Sequence, residues 1–347
     1  MPRFSNIMLT LASLLVGFFM AELALRTLLF NDFALSSSLR DPRYFADNSS
    51  DDYWKLRHRW GHRSPWRTHP LLGWLSNSID PDDFSHKEAG NVGARRPVLL
   101  YGDSFAQGVR GAQPFQHFLN RDEAFGETHY LLNYGVGGYG LDQIYLLFKN
   151  SVDLYDDPVV VFSLLVGDIN RSMLSVRGGQ KPYFELVNGR LELRGIPIDP
   201  DSDGYFARHP PQIQSYFWNL FLYRTDNPGP IRSYLRKKEA KKKQKMDLNG
   251  AILSAVYKEL TDRHLDFTIL VFRDSTFRWN ATWQDAWVKD QLEEMEVDYI
   301  WAPDILHREA AERPTAELFL PDGHPNSVSN QIIAREIKHR VLASTRE

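Results

Sequence analysis

Cysteine is absent from the 347 residues. That removes disulfides, thiolate zinc sites and cysteine nucleophiles together, and it leaves the redox compartment open. A surplus of either charge is missing too. Forty-one Lys and Arg against 44 Asp and Glu give −3 at pH 7, so nothing basic points to nucleic acid as the main partner. Neither a disordered chain nor a multi-span membrane protein fits, because 43% of residues are apolar and 24% charged, close to ordinary globular usage. What remains is room for one large domain or two modest ones, at about 150 residues per domain.

One hydrophobic run stands out. Ile7 to Ala21 carries no charge, and the apolar character continues through Glu22 and Arg26 into Leu28, Leu29 and Phe30. As a helix, about 24 residues would reach ~36 Å, more than the ~30 Å hydrocarbon core of a bilayer. Residues 1–30 are therefore expected to be a signal-anchor helix holding the protein at a membrane, with the domain on the periplasmic or outer side. The rival is a cleaved signal, since the uncharged stretch is short and Ala34-Leu35-Ser36 is a small-x-small site. Arg3 precedes the run while Arg26 and Arg40 follow it, so charge asymmetry says little about orientation.

Residues 31–95 read as a linker and capping segment, rich in polar turns such as Asp47-Asn-Ser-Ser-Asp-Asp52. Within it Trp54, Trp60, Trp66 and Trp74 are interleaved with Arg57, His58, Arg59, His62, Arg63 and Arg67. Such a patch either stacks on sugar rings or a membrane interface, or packs the segment onto the main domain.

From Arg96 the chain alternates between strand and helix signals. Pro97–Tyr101, His129–Asn133, Pro158–Val166, Phe267–Phe272 and Val297–Trp301 are apolar strand candidates; Phe115–Asn120, Gly140–Asn150, Asn249–Arg263 and Asn326–Val341 read as helices. Alternation of this kind implies βαβ units and a three-layer α/β/α domain over 96–347 with a central parallel sheet. Ligands of such sheets sit beyond the carboxyl ends of the strands.

The unusual residues fall in those loops. Gly102-Asp103-Ser104 follows the first strand, where a serine is either a helix N-cap or an exposed nucleophile. The glycine-rich turn Asn133-Tyr-Gly135-Val-Gly137-Gly138-Tyr-Gly140 follows the second and would let a backbone N–H approach an oxyanion. Asp322-Gly-His324 lies before the last helix. A hydroxyl is a weak nucleophile until a base takes its proton, and a carboxylate fixes the tautomer of that base, so the three loops together supply a serine triad. The turn also matches G-x-G-x-x-G, but it follows the second strand and lacks an acid about 20 residues on, which argues against dinucleotide binding.

The sequence resembles the SGNH or GDSL-type hydrolases, in their membrane-anchored bacterial branch, over residues 96–345. The resemblance rests on Tyr101-Gly-Asp-Ser-Phe105, on Asn133 to Gly140 with Leu141-Asp-Gln143, and on Asp322-Gly-His324-Pro-Asn326. It implies a flavodoxin-like fold with Ser104 as nucleophile, His324 as general base and Asp322 as the residue orienting the imidazole. It also implies an oxyanion hole from the N–H of Ser104, the N–H of Gly138 and an Asn of a Gly-Asn-Asp motif. That Asn is missing: the third block reads Val166-Gly167-Asp168-Ile169-Asn170, so Asn170 reaches in from further on or the hole uses two donors.

An insert over 171–246 interrupts the alternation. It holds a hairpin, Tyr183–Val187 and Leu191–Leu193 about Asn188-Gly189, and ends in the basic run Arg236 to Lys245, read as a solvated helix or mobile loop, or else as a contact for an anionic membrane or polysaccharide. Trp279, Trp283 and Trp287 recur at a spacing that buries a helix face, and Asn280-Ala-Thr282 is a glycosylation sequon if a eukaryotic secretory route applies. The expected activity is an ester hydrolase removing O-acyl groups from a glycan through an acyl-enzyme on Ser104, with no cofactor, no metal and no nucleic-acid partner. An O-acyltransferase with the same triad and an inactive glycan-binding relative are the alternatives.

Overall fold

The computed structural model describes residues 2–31, 33–63, 66–225, 231–273 and 281–344, with the backbone alone for 2–5, 34–36, 224–225, 231–240 and 344. Trp279, Asn280 and the side chains of 236–240 in the basic run lie outside that description. The chain divides into two compact units. One comprises Met1–Pro65, Val176–Gln180 and Asp201–Lys241; the other comprises Trp66–Ser175, Lys181–Pro200 and Lys242–Glu347.

The second unit is an α/β domain. Thr68–His69 (β1) and Gly73–Trp74 (β2) pair antiparallel at its start. Its sheet contains Arg96–Gly102 (β3), His129–Gly135 (β4) and Val159–Leu165 (β5); after the hairpin Tyr183–Val187 (β6) and Arg190–Arg194 (β7) come Phe267–Phe272 (β8) and Tyr299–Trp301 (β9). The sheet order is β4-β3-β5-β8-β9 with every pairing parallel, the doubly wound flavodoxin-like order.

Alternation along the strands makes two cores. Leu99, Tyr101, Phe162, Leu164 and Val271 face the helix Leu141–Ser151 and the apolar positions Ile252, Val256 and Leu260. Val98, Leu100, Val161, Leu270 and Phe272 face Phe115, Leu306, Ile333 and Ile337 on the opposite layer. A parallel strand covered on both sides is apolar on both sides, which is why β5 reads Val-Val-Val-Phe-Ser-Leu-Leu with no exposed position. The Asn188-Gly189 turn forms as expected, both residues at positive φ (50° and 76°), the type I′ geometry matched to strand twist. Trp287 is buried and Trp283 packs against the same core, so these two serve a buried helix face.

Among the element ends that differ from the expectation, two have a local cause. The helix expected from Asn249 runs over Ile231–Asp262, because the Lys-rich stretch before it holds no Gly or Pro and is made of good helix formers. The last strand starts at Tyr299 rather than Val297, whose N–H bonds Leu292 O in the preceding turn.

The first unit is helical. Pro2–Phe30 is one continuous helix, and its Asn6–Phe30 portion is long and apolar enough to cross a membrane, with mean hydropathy 2.1. Leu25 and Leu29 on its last turns pack with Phe45, Leu56 and Tyr216. Glu22 accepts hydrogen bonds from Ser215 Oγ (2.9 Å), Tyr216 N (3.0 Å) and Phe217 N (2.8 Å), capping the helix Tyr216–Thr225. Trp60 packs on Phe30 and Phe45, in keeping with the packing alternative for that ring.

Beneath the hairpin, Lys181 and Asp142 form an ion pair with both side chains at 1% exposure or less, the ammonium also donating to Leu174 O and Pro182 O. Removing one partner strands a buried charge. Asp142→Ala is expected to cost about 3–5 kcal/mol in denaturant unfolding, and Asp142→Leu with Lys181→Met should recover most of it.

Candidate functional site

The site is assembled at the carboxyl end of β3. Gly102 closes the strand because a Cβ there would stand 2.5 Å from Ala106 Cβ and 3.0 Å from Ser163 Cβ. The turn enters the short helix Ser104–Gln107, and its N-cap is Asp103, whose Oδ1 accepts from Phe105 N at 2.8 Å. Asp103 therefore does the capping, leaving the Ser104 hydroxyl available.

That hydroxyl meets an imidazole from 220 residues away: His324 Nε2 lies 2.9 Å from Ser104 Oγ. The loop carrying His324 is braced on itself. Leu320 N donates to His324 O, Asn326 N to Leu318 O and Asn326 Nδ2 to Glu317 O, while Asn326 Oδ1 caps the final helix at Val328 N. Behind the imidazole sits Phe105, ring centroids 4.9 Å apart.

Asp322 approaches the other ring nitrogen, its Oδ1 3.2 Å from Nδ1 but too oblique for a hydrogen bond. The same oxygen accepts the backbone N–H of His324 at 3.1 Å. That donation is the main cause holding the Asp322 carboxyl below its ordinary pKa, so it stays an anion into the acid range. Its side chain is 61% exposed, which leaves water as a competitor for the contact.

The glycine-rich turn lies alongside. A Cβ on Gly137 would be 3.8 Å from Ser104 Cβ, and the turn is pinned by Gln107 Oε1 accepting from Gly137 N (2.9 Å) and Trp74 Nε1 donating to Gly137 O (3.0 Å). Gly138 follows at φ 84°, a conformation that favours glycine. Gly135 and Gly140 admit no Cβ for reasons of packing, against the backbones of Gln107 and Arg171.

Asn170, the other oxyanion candidate, has its side-chain oxygen engaged by a lysine. Its Oδ1 accepts from Lys245 Nζ at 2.7 Å, and among the described residues no hydrogen bond joins it to Ser104 or His324. The residue the motifs do not flag is Arg171. Its Nη1 lies 2.7 Å from Asp103 Oδ2, 2.9 Å from Tyr139 O and 2.5 Å from Asp168 Oδ1, tying the serine loop, the glycine turn and the third loop to one guanidinium. Both carboxylates are buried. The only trace in the sequence is the i,i+3 spacing of Asp168 and Arg171.

Trp74, 2% exposed, also takes the Tyr139 hydroxyl on its carbonyl, and Trp66 stacks on it at 4.9 Å and 14° while staying 42% exposed. Thus one ring of that pair is buried in the structure and the other stays partly exposed.

No family model and no curated protein matches the chain. Among solved structures, an acetylxylan esterase from Geobacillus stearothermophilus is similar at 11% identity and TM-score 0.38, over 72% of this chain and 95% of that one. An α/β hydrolase enzyme from the metagenome of Lake Arreo, Spain, is similar at 14% identity and TM-score 0.39, over 71% and 95%. At these values the likenesses carry no argument about this chain's chemistry.

Gly135→Ala tests the packing of the site. Its Cβ would fall 2.3 Å from Gln107 N and 2.6 Å from Gln107 Cα, so the Ser104–Gln107 turn must shift. The expected cost is about 1–3 kcal/mol in chemical denaturation with a displaced Ser104 in a crystal structure. Gly90→Ala, which meets nothing within 4 Å, should change neither.

Proposed function

We propose that the chain is a membrane-anchored serine ester hydrolase of the SGNH type, acting on an O-acylated glycan. The observation that carries the reading is the 2.9 Å approach of His324 Nε2 to Ser104 Oγ, with Asp322 on the far side of the ring. In this reading His324 takes the hydroxyl proton as Ser104 attacks the acyl carbon. Asp322 orients the ring and stabilises the imidazolium. The N–H groups of Ser104 and Gly138 receive the oxyanion. His324 returns the proton to the leaving alkoxide, and water, activated by the same base, releases the acid from the acyl-enzyme.

The partly exposed ring of Trp66, stacked on the indole that holds Gly137, supports a sugar ring as the body of the substrate. The apolar helix Asn6–Phe30 supports a membrane anchor, with the sheet domain on the periplasmic side.

Ser104→Ala and His324→Ala should each lower turnover of an activated acetyl ester by at least about 10³-fold with unchanged far-UV circular dichroism. A fluorophosphonate probe should label Ser104 in the wild type alone. Asp322→Ala should cost less than either, since its contact is exposed and oblique. Wild-type turnover by Ser104→Ala sinks the assignment. With an O-acetylated polysaccharide, acetate release is the expected result, and acetyl incorporation into a deacetylated one from an acetyl donor would make the enzyme a transferase. For the anchor, alkaline carbonate should leave the full-length chain in the membrane pellet.

A further inference from the structure

Within the first unit, the end of the helix Pro2–Phe30, the helix Asp51–Arg59 and the segment from Asp203 to Tyr216 surround a cavity of ≈ 550 Å³. Its charges are one-sided. Arg26, Lys55, Arg59 and Arg63 line it against a single carboxylate, Asp203. That carboxylate is already engaged, 3.0 Å from both His58 Nε2 and Arg63 Nη1, and Arg26 is held by Glu22. Lys55 and Arg59 have no carboxylate partner among the described residues, although they sit one helical turn apart, where like charges repel. Basic residues at a helix C-terminus complement its dipole, which accounts for Arg59 but not for Arg26 and Arg63 arriving from other segments. Phe30, Phe206 and Tyr216 supply the apolar part of the wall. His58 stacks on Phe206 with centroids 3.8 Å apart, and its buried Nδ1 has no hydrogen-bond partner among the described residues.

We infer that this cavity binds the phosphate of an anionic lipid headgroup. Two cationic side chains without carboxylate partners, beside Arg63, which shares Asp203 with His58, and Arg26, which is paired with Glu22, form a site for a compact anion. Its position assigns that anion to a lipid. Arg26 and Phe30 lie on the helix whose Ile7 to Leu23 stretch exposes its large apolar side chains. Leu23 and Arg26 are separated by about 4.5 Å of helix rise, and bilayer phosphates lie just beyond the hydrocarbon. Trp218 and Phe221, each 44% exposed on the helix that Glu22 caps, bring to this level the kind of ring that settles at membrane interfaces. The phosphate site stands on its own charges, whereas its assignment to a lipid rests on the anchoring reading.

The test titrates the full-length protein in neutral detergent with dihexanoyl phosphatidylglycerol, dihexanoyl phosphatidylcholine and inorganic phosphate by calorimetry. Phosphatidylglycerol is expected to bind at least tenfold tighter than the other two. Lys55→Glu with Arg59→Glu should weaken it at least tenfold while far-UV circular dichroism and ester turnover stay at wild-type values. Lys55→Arg with Arg59→Lys should retain it. Unchanged binding by the charge-reversed protein overturns the site, and equal affinity for inorganic phosphate or phosphatidylcholine overturns the anionic lipid. The anchor is read separately, by carbonate-resistant retention on phosphatidylcholine vesicles; release of the wild type there removes the anchor and with it the lipid assignment, while leaving the calorimetric evidence for a phosphate site standing.

Discussion

A carboxylate with no access to water must be matched or it unravels the fold around it, and Asp103 is such a group, at 0% exposure one residue before the serine. Its two oxygens are answered by Phe105 N–H and by Arg171. The guanidinium also serves Asp168 and Tyr139 O, so three loops that leave three different strand ends share one cation. The loops cannot move independently. The position of the Ser104 hydroxyl is thus a property of the whole carboxyl end of the sheet rather than of one tight turn.

The imidazole is positioned on a different principle. Its carboxylate neighbour is largely solvated, and water weakens a charge contact of that kind. Orientation is instead divided among backbone bonds of the loop from Leu318 to Asn326 and the Phe105 ring behind it. One half of the Ser–His pair is locked by buried charge and the other by loop geometry and an aromatic contact. The backbone N–H of His324 keeps Asp322 anionic as well, so a single carboxylate both shapes the loop and faces the ring.

How much of this was legible in the sequence follows from what each feature depends on. β3, β4, β5 and β8 could be read because strands buried on both faces need unbroken apolar runs. Ser104, Asp322 and His324 were legible as types in loops; a parallel register brings the loops after β3, β4 and β5 to one end of the sheet, whereas the loop of Asp322 and His324 comes a helix later than β9 and the sequence does not show where it settles. Arg171 was not, since its role exists only once Asp103 and Tyr139 stand next to it. Nor could the sequence show that Asn170 Oδ1 takes the Lys245 ammonium, whose residue lies 75 positions further on. The start of the helix Ile231–Asp262 was hidden by a Lys-rich stretch with no apolar period to mark it. For Trp66 and Trp74 composition left two readings open, because it does not tell which indole N–H will find a carbonyl.

Glu22 follows directly on the uncharged stretch Ile7 to Ala21 of the first helix and is held by Ser215, Tyr216 and Phe217. Those bonds pin the helix to its unit at a set height. In a bilayer such a helix would not be free to slide along its axis, and the uncharged stretch Ile7 to Ala21 beyond the pin has about 22 Å of rise. The helix as a whole is long enough to cross, but this uncharged part alone is shorter than an average hydrocarbon layer, so with Glu22 held at its unit the mismatch would fall on the lipid, which must thin around the helix or draw flanking polar groups inward. A thin membrane would then hold this protein at lower cost than a thick one, and the side chain responsible is a carboxylate that never needs to touch lipid.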